Sequence, residues 1–125
     1  MLSEYPVGVV LLSQDLKGAS KAFYAEKLGL PILEETEEAV AYGSESSRLT
    51  VTASTTGTKD EQTQAAWRVT DLRAELDSLK ARGVEPEDYD TDEIHTENGI
   101  TDRGTVWAAW ITDPDGNVLG IEQPK

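Results

Sequence analysis

The run Trp110-Ile111-Thr112-Asp113-Pro114-Asp115-Gly116-Asn117-Val118-Leu119-Gly120-Ile121-Glu122 (WITDPDGNVLGIE) sets two acids, a proline and a glycine between two apolar stretches. It admits two readings, a metal loop or a tight turn. Acids at its first and third loop positions, Asp113 and Asp115, suit a calcium loop, but the sixth-position glycine is replaced by Val118 and the twelfth-position glutamate by Pro124. The turn is the better account: proline presets one dihedral, Asp113 and Asn117 bond nearby backbone, and Gly116 takes a positive φ. The apolar runs at 105–111 and 118–121 then become the two arms of a strand hairpin.

Working outward, the same order of signals occurs twice. A β-branched and leucine run at 7–12 suits a strand buried on both faces, and Asp15-Leu16 after it opens a helix. Asp15 is its N-cap, Leu16, Ala19, Phe23 and Lys27 mark its inner face, and Gly29 ends it. Gly18 inside it costs about 1 kcal/mol relative to alanine. Short strands follow at 32–33, 39–42 and 49–52, with turn chemistry at 43–47 making a hairpin of the last two. After the polar connector comes a strand at 65–69, then Asp71-Leu72, a helix faced by Leu72, Leu76 and Leu79, and Gly83. Asp15-Leu16 and Asp71-Leu72 lie 56 residues apart, which marks an internal duplication of a strand, helix, three-strand module. The domain is read as a single one over 1–125, with module one at about 5–54, a connector at about 54–63 and module two at about 64–125.

Composition bounds the function. The chain of 125 residues carries 24 acids against 11 bases, a net charge of −13, and no basic stripe, so no nucleic-acid partner is expected. No apolar run approaches the ~20 residues a bilayer requires, and the first residues lack a basic segment ahead of an apolar one, so no membrane is expected and the location is read as cytoplasmic. The absence of cysteine removes thiolate metal sites and thiol nucleophiles. An acidic field favours cationic ligands, and the acidic stretch 85–97 offers a basic partner a surface.

The duplicated βαβββ unit, with Asp-Leu before each helix, Phe23-Tyr24-Ala25-Glu26-Lys27-Leu28-Gly29-Leu30 in the first and DPDGN before the last strand, resembles the vicinal oxygen chelate superfamily of glyoxalases, bleomycin resistance proteins and dioxygenases. The resemblance implies an α+β fold in which two modules form a curled mixed sheet around a cleft, commonly as a homodimer. In metal-dependent members, ligands come from the first and last strand of each module. Those positions fall here on Gly8, Thr50, Gln64 and Gly120, of which only Gln64 offers a usable donor. No metal and no cofactor are therefore expected.

Alternation along strands sorts the remaining candidates. Val10 and Leu12 join Gly8, Thr52 joins Thr50, and Ala66 and Arg68 join Gln64 on the cleft side, while Trp67 belongs to the core. Trp107 and Trp110 have opposite parity, so one of them faces the cleft. His95 is the single histidine and is most simply an exposed strand or loop residue; Glu122 shares the parity of Gly120. These two are the candidates for acid or base chemistry. The expectation is a metal-free binder of an aromatic or cationic small molecule such as an antibiotic, with a lyase, isomerase or dioxygenase of the same superfamily as the alternative.

Overall fold

The computed structural model describes residues 1–58 and 61–125; Lys59 and Asp60, in the expected connector, lie outside them. The chain divides into two compact units, Met1–Asp60 with Pro114–Asn117, and Glu61–Asp113 with Val118–Lys125. The first holds β1 (Val9–Ser13), α1 (Ala19–Lys21) continuing as a π-helical segment (Ala22–Lys27), β2 (Ile32–Glu35), β3 (Ala39–Ser44) and β4 (Ser47–Ala53). The second holds β5 (Thr63–Arg68), α2 (Leu72–Ala81), β6 (Thr101–Asp102), β7 (Val106–Thr112) and β8 (Val118–Pro124). Their sheets run in the orders β1-β4-β3-β2 and β5-β8-β7-β6, each with one parallel pair, β1 on β4 and β5 on β8. The duplicated βαβββ expectation holds.

In the first unit the inner face of the sheet is Leu11, Val40, Tyr42, Leu49 and Val51, closed by Leu16, Phe23 and Tyr24. The other face of β1 is exposed, which corrects its expected two-sided burial: Val10 is 66% and Leu12 38% exposed, and Val7, which precedes the strand, 90%. A run of apolar residues reports a strand but not which of its faces is covered.

The first helix also departs from its expected phase. It begins at Ala19, and Gly18 stands just before it, so the interior-glycine penalty does not apply. A Cβ on Gly18 would lie 2.5 Å from the Asp15 carboxylate, and its absence lets that carboxylate accept from the Ala19 amide at 2.9 Å. The cap is therefore real but reaches past the glycine. Leu28 N–H donates to Phe23 C=O, a five-residue step that widens the turn and brings both Phe23 and Tyr24 inward. Their rings meet edge to face at 5.1 Å, and Tyr24 lies 5.4 Å from Tyr42. Ala19 and Lys27, expected on the inner face, are exposed, and Ser20 is buried instead.

The second helix follows its expectation. Asp71 accepts from the Ala74 amide at 3.1 Å, and Leu72 and Leu76 are buried with Ala109, Ile111, Leu119 and Ile121 making up the covered face of the sheet. Trp67, expected in the core, is only half-buried. Between α2 and β6 the chain meanders through two isolated bridges, Asp90 with His95 and Glu97 with Ile100, the latter closed by Asn98 and Gly99 at φ 53° and 82°. Gly99 is held twice over, by this left-handed backbone and by Pro86, whose Cγ would lie 2.6 Å from an added Cβ. Gly99→Ala is expected to destabilise the fold by about 2 kcal/mol, read as a lower urea midpoint at unchanged slope.

The opening turn is confirmed and extended. Gly116 has φ 87°, and the Asn117 side chain reaches beyond the turn: its amide donates to Leu12 C=O at 3.0 Å and its carbonyl accepts from the Thr58 hydroxyl. Asp115 accepts from the Gln14 amide at 2.7 Å. The turn is thus built into the first unit, against the end of β1.

Candidate functional site

The second sheet presents a cavity of about 210 Å³. It forms because small residues occupy neighbouring places on one face of adjacent strands. Ala66 of β5 pairs with Gly120 of β8, which pairs in turn with Trp110 of β7. Paired residues share a face, so the Trp110 ring stands over a floor of alanine and glycine backbone. Trp110 is fixed by an Nε1 donation to the Thr63 hydroxyl at 3.2 Å and by a T-shaped contact with Tyr89, ring centres 5.5 Å apart. Burial, and then the carboxylates of Glu87 and Glu61, raise the Tyr89 phenol above its ordinary pKa, so it stays neutral at physiological pH.

The charged groups are Glu122 and Arg103, both lining the cavity. Arg68 grips one oxygen of Glu122 through Nε at 3.0 Å and Nη2 at 2.9 Å. Arg103 sits in the loop from β6 to β7, set by its own amide on Val106 C=O at 2.9 Å and by the Gly104 amide on Asp102 at 2.8 Å. Asp102, its sequence neighbour, is taken by Lys125, and this bond, followed by that from Gly104, holds the carboxyl below its ordinary pKa. Among the described residues the Arg103 side chain has no hydrogen-bond or ion-pair partner.

The expected site residues separate accordingly. Trp110, Gly120 and Glu122 line the cavity, and Arg68 reaches it through Glu122. Trp107 lies on the opposite face, 40% exposed, with the Lys125 ammonium 4.3 Å from its ring centre. Gln64 does not line the cavity: Thr63 pairs with Val118 and Ala65 with Leu119, so the extra residue turns Gln64 aside, and its amide donates to Gln62 C=O at 3.2 Å. Gly8, Val10, Leu12, Thr50 and Thr52 belong to the first unit, where Val10 lies opposite Thr50 and Leu12 opposite Thr52 on the open face. His95 is exposed in the 85–97 loop between Asp90, 3.2 Å from Nδ1, and Glu97, 3.7 Å from Nε2. Thr63 and Arg103 were not anticipated. The strand irregularity that aims Thr63 leaves no sequence signal, whereas Arg103 is a lone base within an acidic region.

The positions that the resemblance assigns to metal ligands do not fit a divalent ion. Gly8 and Gly120 carry no side chain, Thr50 offers a neutral hydroxyl and Gln64 a neutral amide. Among the described residues no three or more His, Asp or Glu side chains gather as a ligand set. A carboxylate at position 120 would also need room, since even a Cβ there meets Thr63 Cγ2 at 3.2 Å.

The chain belongs to the Glyoxalase/Bleomycin resistance protein/Dioxygenase superfamily, whose family model matches residues 9–121. Among solved structures it is similar to a glyoxalase family protein from Enterococcus faecalis, with 21% identity, 98% of this chain and 99% of that one covered, and a TM-score of 0.74. It is similar to an antibiotic binding protein from Streptomyces sp. CB03234, at 20% identity, 97% and 98% coverage and a TM-score of 0.72. A genomically encoded fosfomycin resistance protein from Listeria monocytogenes aligns at 11% identity, 97% and 93% coverage and a TM-score of 0.71. At these identities the likeness is one of fold. No curated protein sequence matches the chain. Among the described residues no helix is long and apolar enough to cross a membrane.

Proposed function

We propose that the protein is a metal-free binder of a small aromatic compound, held in the cavity of the second unit. The observation that carries this reading is the Trp110 wall over a Gly120 and Ala66 floor, an apolar surface with few polar groups at its rim, as ligand sites have. The structural likeness to an antibiotic binding protein supports a sequestering role and makes an antibiotic a reasonable ligand class. A cytoplasmic homodimer belongs to the same reading, and sedimentation at micromolar concentration tests the dimer.

The second reading, an enzyme of the superfamily, draws on Glu122, a half-buried carboxylate beside the cavity. One of its oxygens already accepts two bonds from Arg68, so the group that would have to act on a substrate is engaged within the protein, which is why binding is preferred.

Calorimetric titration with single-ring aromatic probes and with aromatic antibiotics tests the proposal. One site per chain is expected, with a dissociation constant on the order of 0.1–1 mM for single-ring probes and no change on adding chelator. Silence across the panel, or one tightly held metal ion per chain by elemental analysis, overturns it.

A further inference from the structure

We infer that the cavity selects an aromatic ligand bearing one negative charge, a carboxylate or a similar oxyanion, and that Arg103 reads that charge. The inference rests on the binding role proposed above and reverses the sign that net composition suggests. A chain at −13 attracts cations from a distance, but the Debye length of about 8 Å at physiological salt leaves selection within a site to the groups lining it. Those groups do not balance. The negative charge of Glu122 is answered by Arg68, two of whose nitrogens converge on one carboxylate oxygen. The nearby acid that would answer Arg103 is Asp102, and it is committed to Lys125 and to the Gly104 amide. Lys125 in turn stands over Trp107 on the other face of the sheet. Among the described residues the remaining charge at the cavity is one guanidinium without a partner, on a loop whose backbone is fixed at both ends.

A guanidinium presents a planar set of donors that matches a carboxylate with two parallel bonds. With a ring stacked against Trp110 above Gly120, the charged donor among the lining groups available to the polar end of a ligand is Arg103. A cationic ligand meets Arg103 as a like charge and finds Glu122 already engaged. The ligand class follows: a compact ring with a single oxyanion substituent.

Benzoate, benzamide and benzamidinium share one shape and differ in charge, so their affinities for the intact protein at neutral pH and 150 mM salt isolate this choice. Binding is followed by calorimetry and by tryptophan fluorescence. Benzoate is expected to bind about five- to tenfold more tightly than benzamide, with benzamidinium last. In Arg103→Gln the benzoate-to-benzamide ratio is expected to fall to about one, while Arg73→Gln, the same loss of charge on α2, keeps the ratio. Equal affinities for benzoate and benzamide, a preference for benzamidinium, or a ratio unmoved by Arg103→Gln overturns the inference and leaves the binding role standing. No response to any of the three probes overturns both.

Discussion

Replacing Asn117 with alanine is expected to lower stability by about 3 kcal/mol, seen as a fall of roughly 10 °C in the thermal midpoint. Asn117 is fully buried, and its amide joins Leu12 C=O to the Thr58 hydroxyl. The loss exceeds the net worth of two neutral hydrogen bonds, because the alanine variant also leaves Leu12 C=O and the Thr58 hydroxyl without this partner at a position whose side chain is fully buried. Asn117→Asp separates chemistry from volume. The carboxylate keeps the size and the acceptor for Thr58 but turns the donor facing Leu12 C=O into a second acceptor, so it is expected to be at least as destabilising as alanine. If the aspartate variant melts with the wild type, the donor is not what holds the turn.

Replacing Trp110 with alanine is expected to remove ligand binding from the measurable range. The ring supplies the one large flat surface of the cavity, and aromatic groups at the centre of a binding site cost about 2 kcal/mol or more when truncated, roughly thirtyfold in affinity. For probes that bind the wild type in the submillimolar range, that loss is total in practice. Trp110→Phe keeps a ring against Tyr89 and gives up the bond to Thr63, so it is expected to retain binding within about fivefold. Affinity unchanged in the alanine variant would place the ligand elsewhere. Circular dichroism of both variants shows whether the fold has survived.

The architecture was legible because its signals are local and repeated. Asp15 and Asp71 each cap the helix that follows, Gly29 and Gly83 follow the two helices, and identical strand orders arise from a repeated order of segments. What escaped reading depends on longer-range geometry. Five-residue bonding after Ala22 turns Phe23 and Tyr24 inward together, and no three- or four-residue period announces it. One extra residue at the start of β5 replaces Gln64 by Thr63 at the cavity. Parity placed Gly120 and Glu122 on one face and required one tryptophan to join them, but choosing Trp110 needed the pairing register across β7 and β8. Arg103 could be found in the sequence, yet its lack of a partner among the described residues is visible only once Asp102 is seen bound to Lys125.

The placement of Pro114–Asn117 with the first unit bears on how such a gene can be recombined. The repeat in the sequence invites exchange of half-genes between relatives at the polar connector. Folding divides the chain differently: β1 ends on a carbonyl whose donor, Asn117, is encoded 105 residues downstream. A chimera joined at the connector inherits its first strand from one parent and that strand's lock from the other. Productive crossovers are therefore those in which the donated second half keeps an asparagine in register at 117, or in which the short 113–117 cassette travels with the first half.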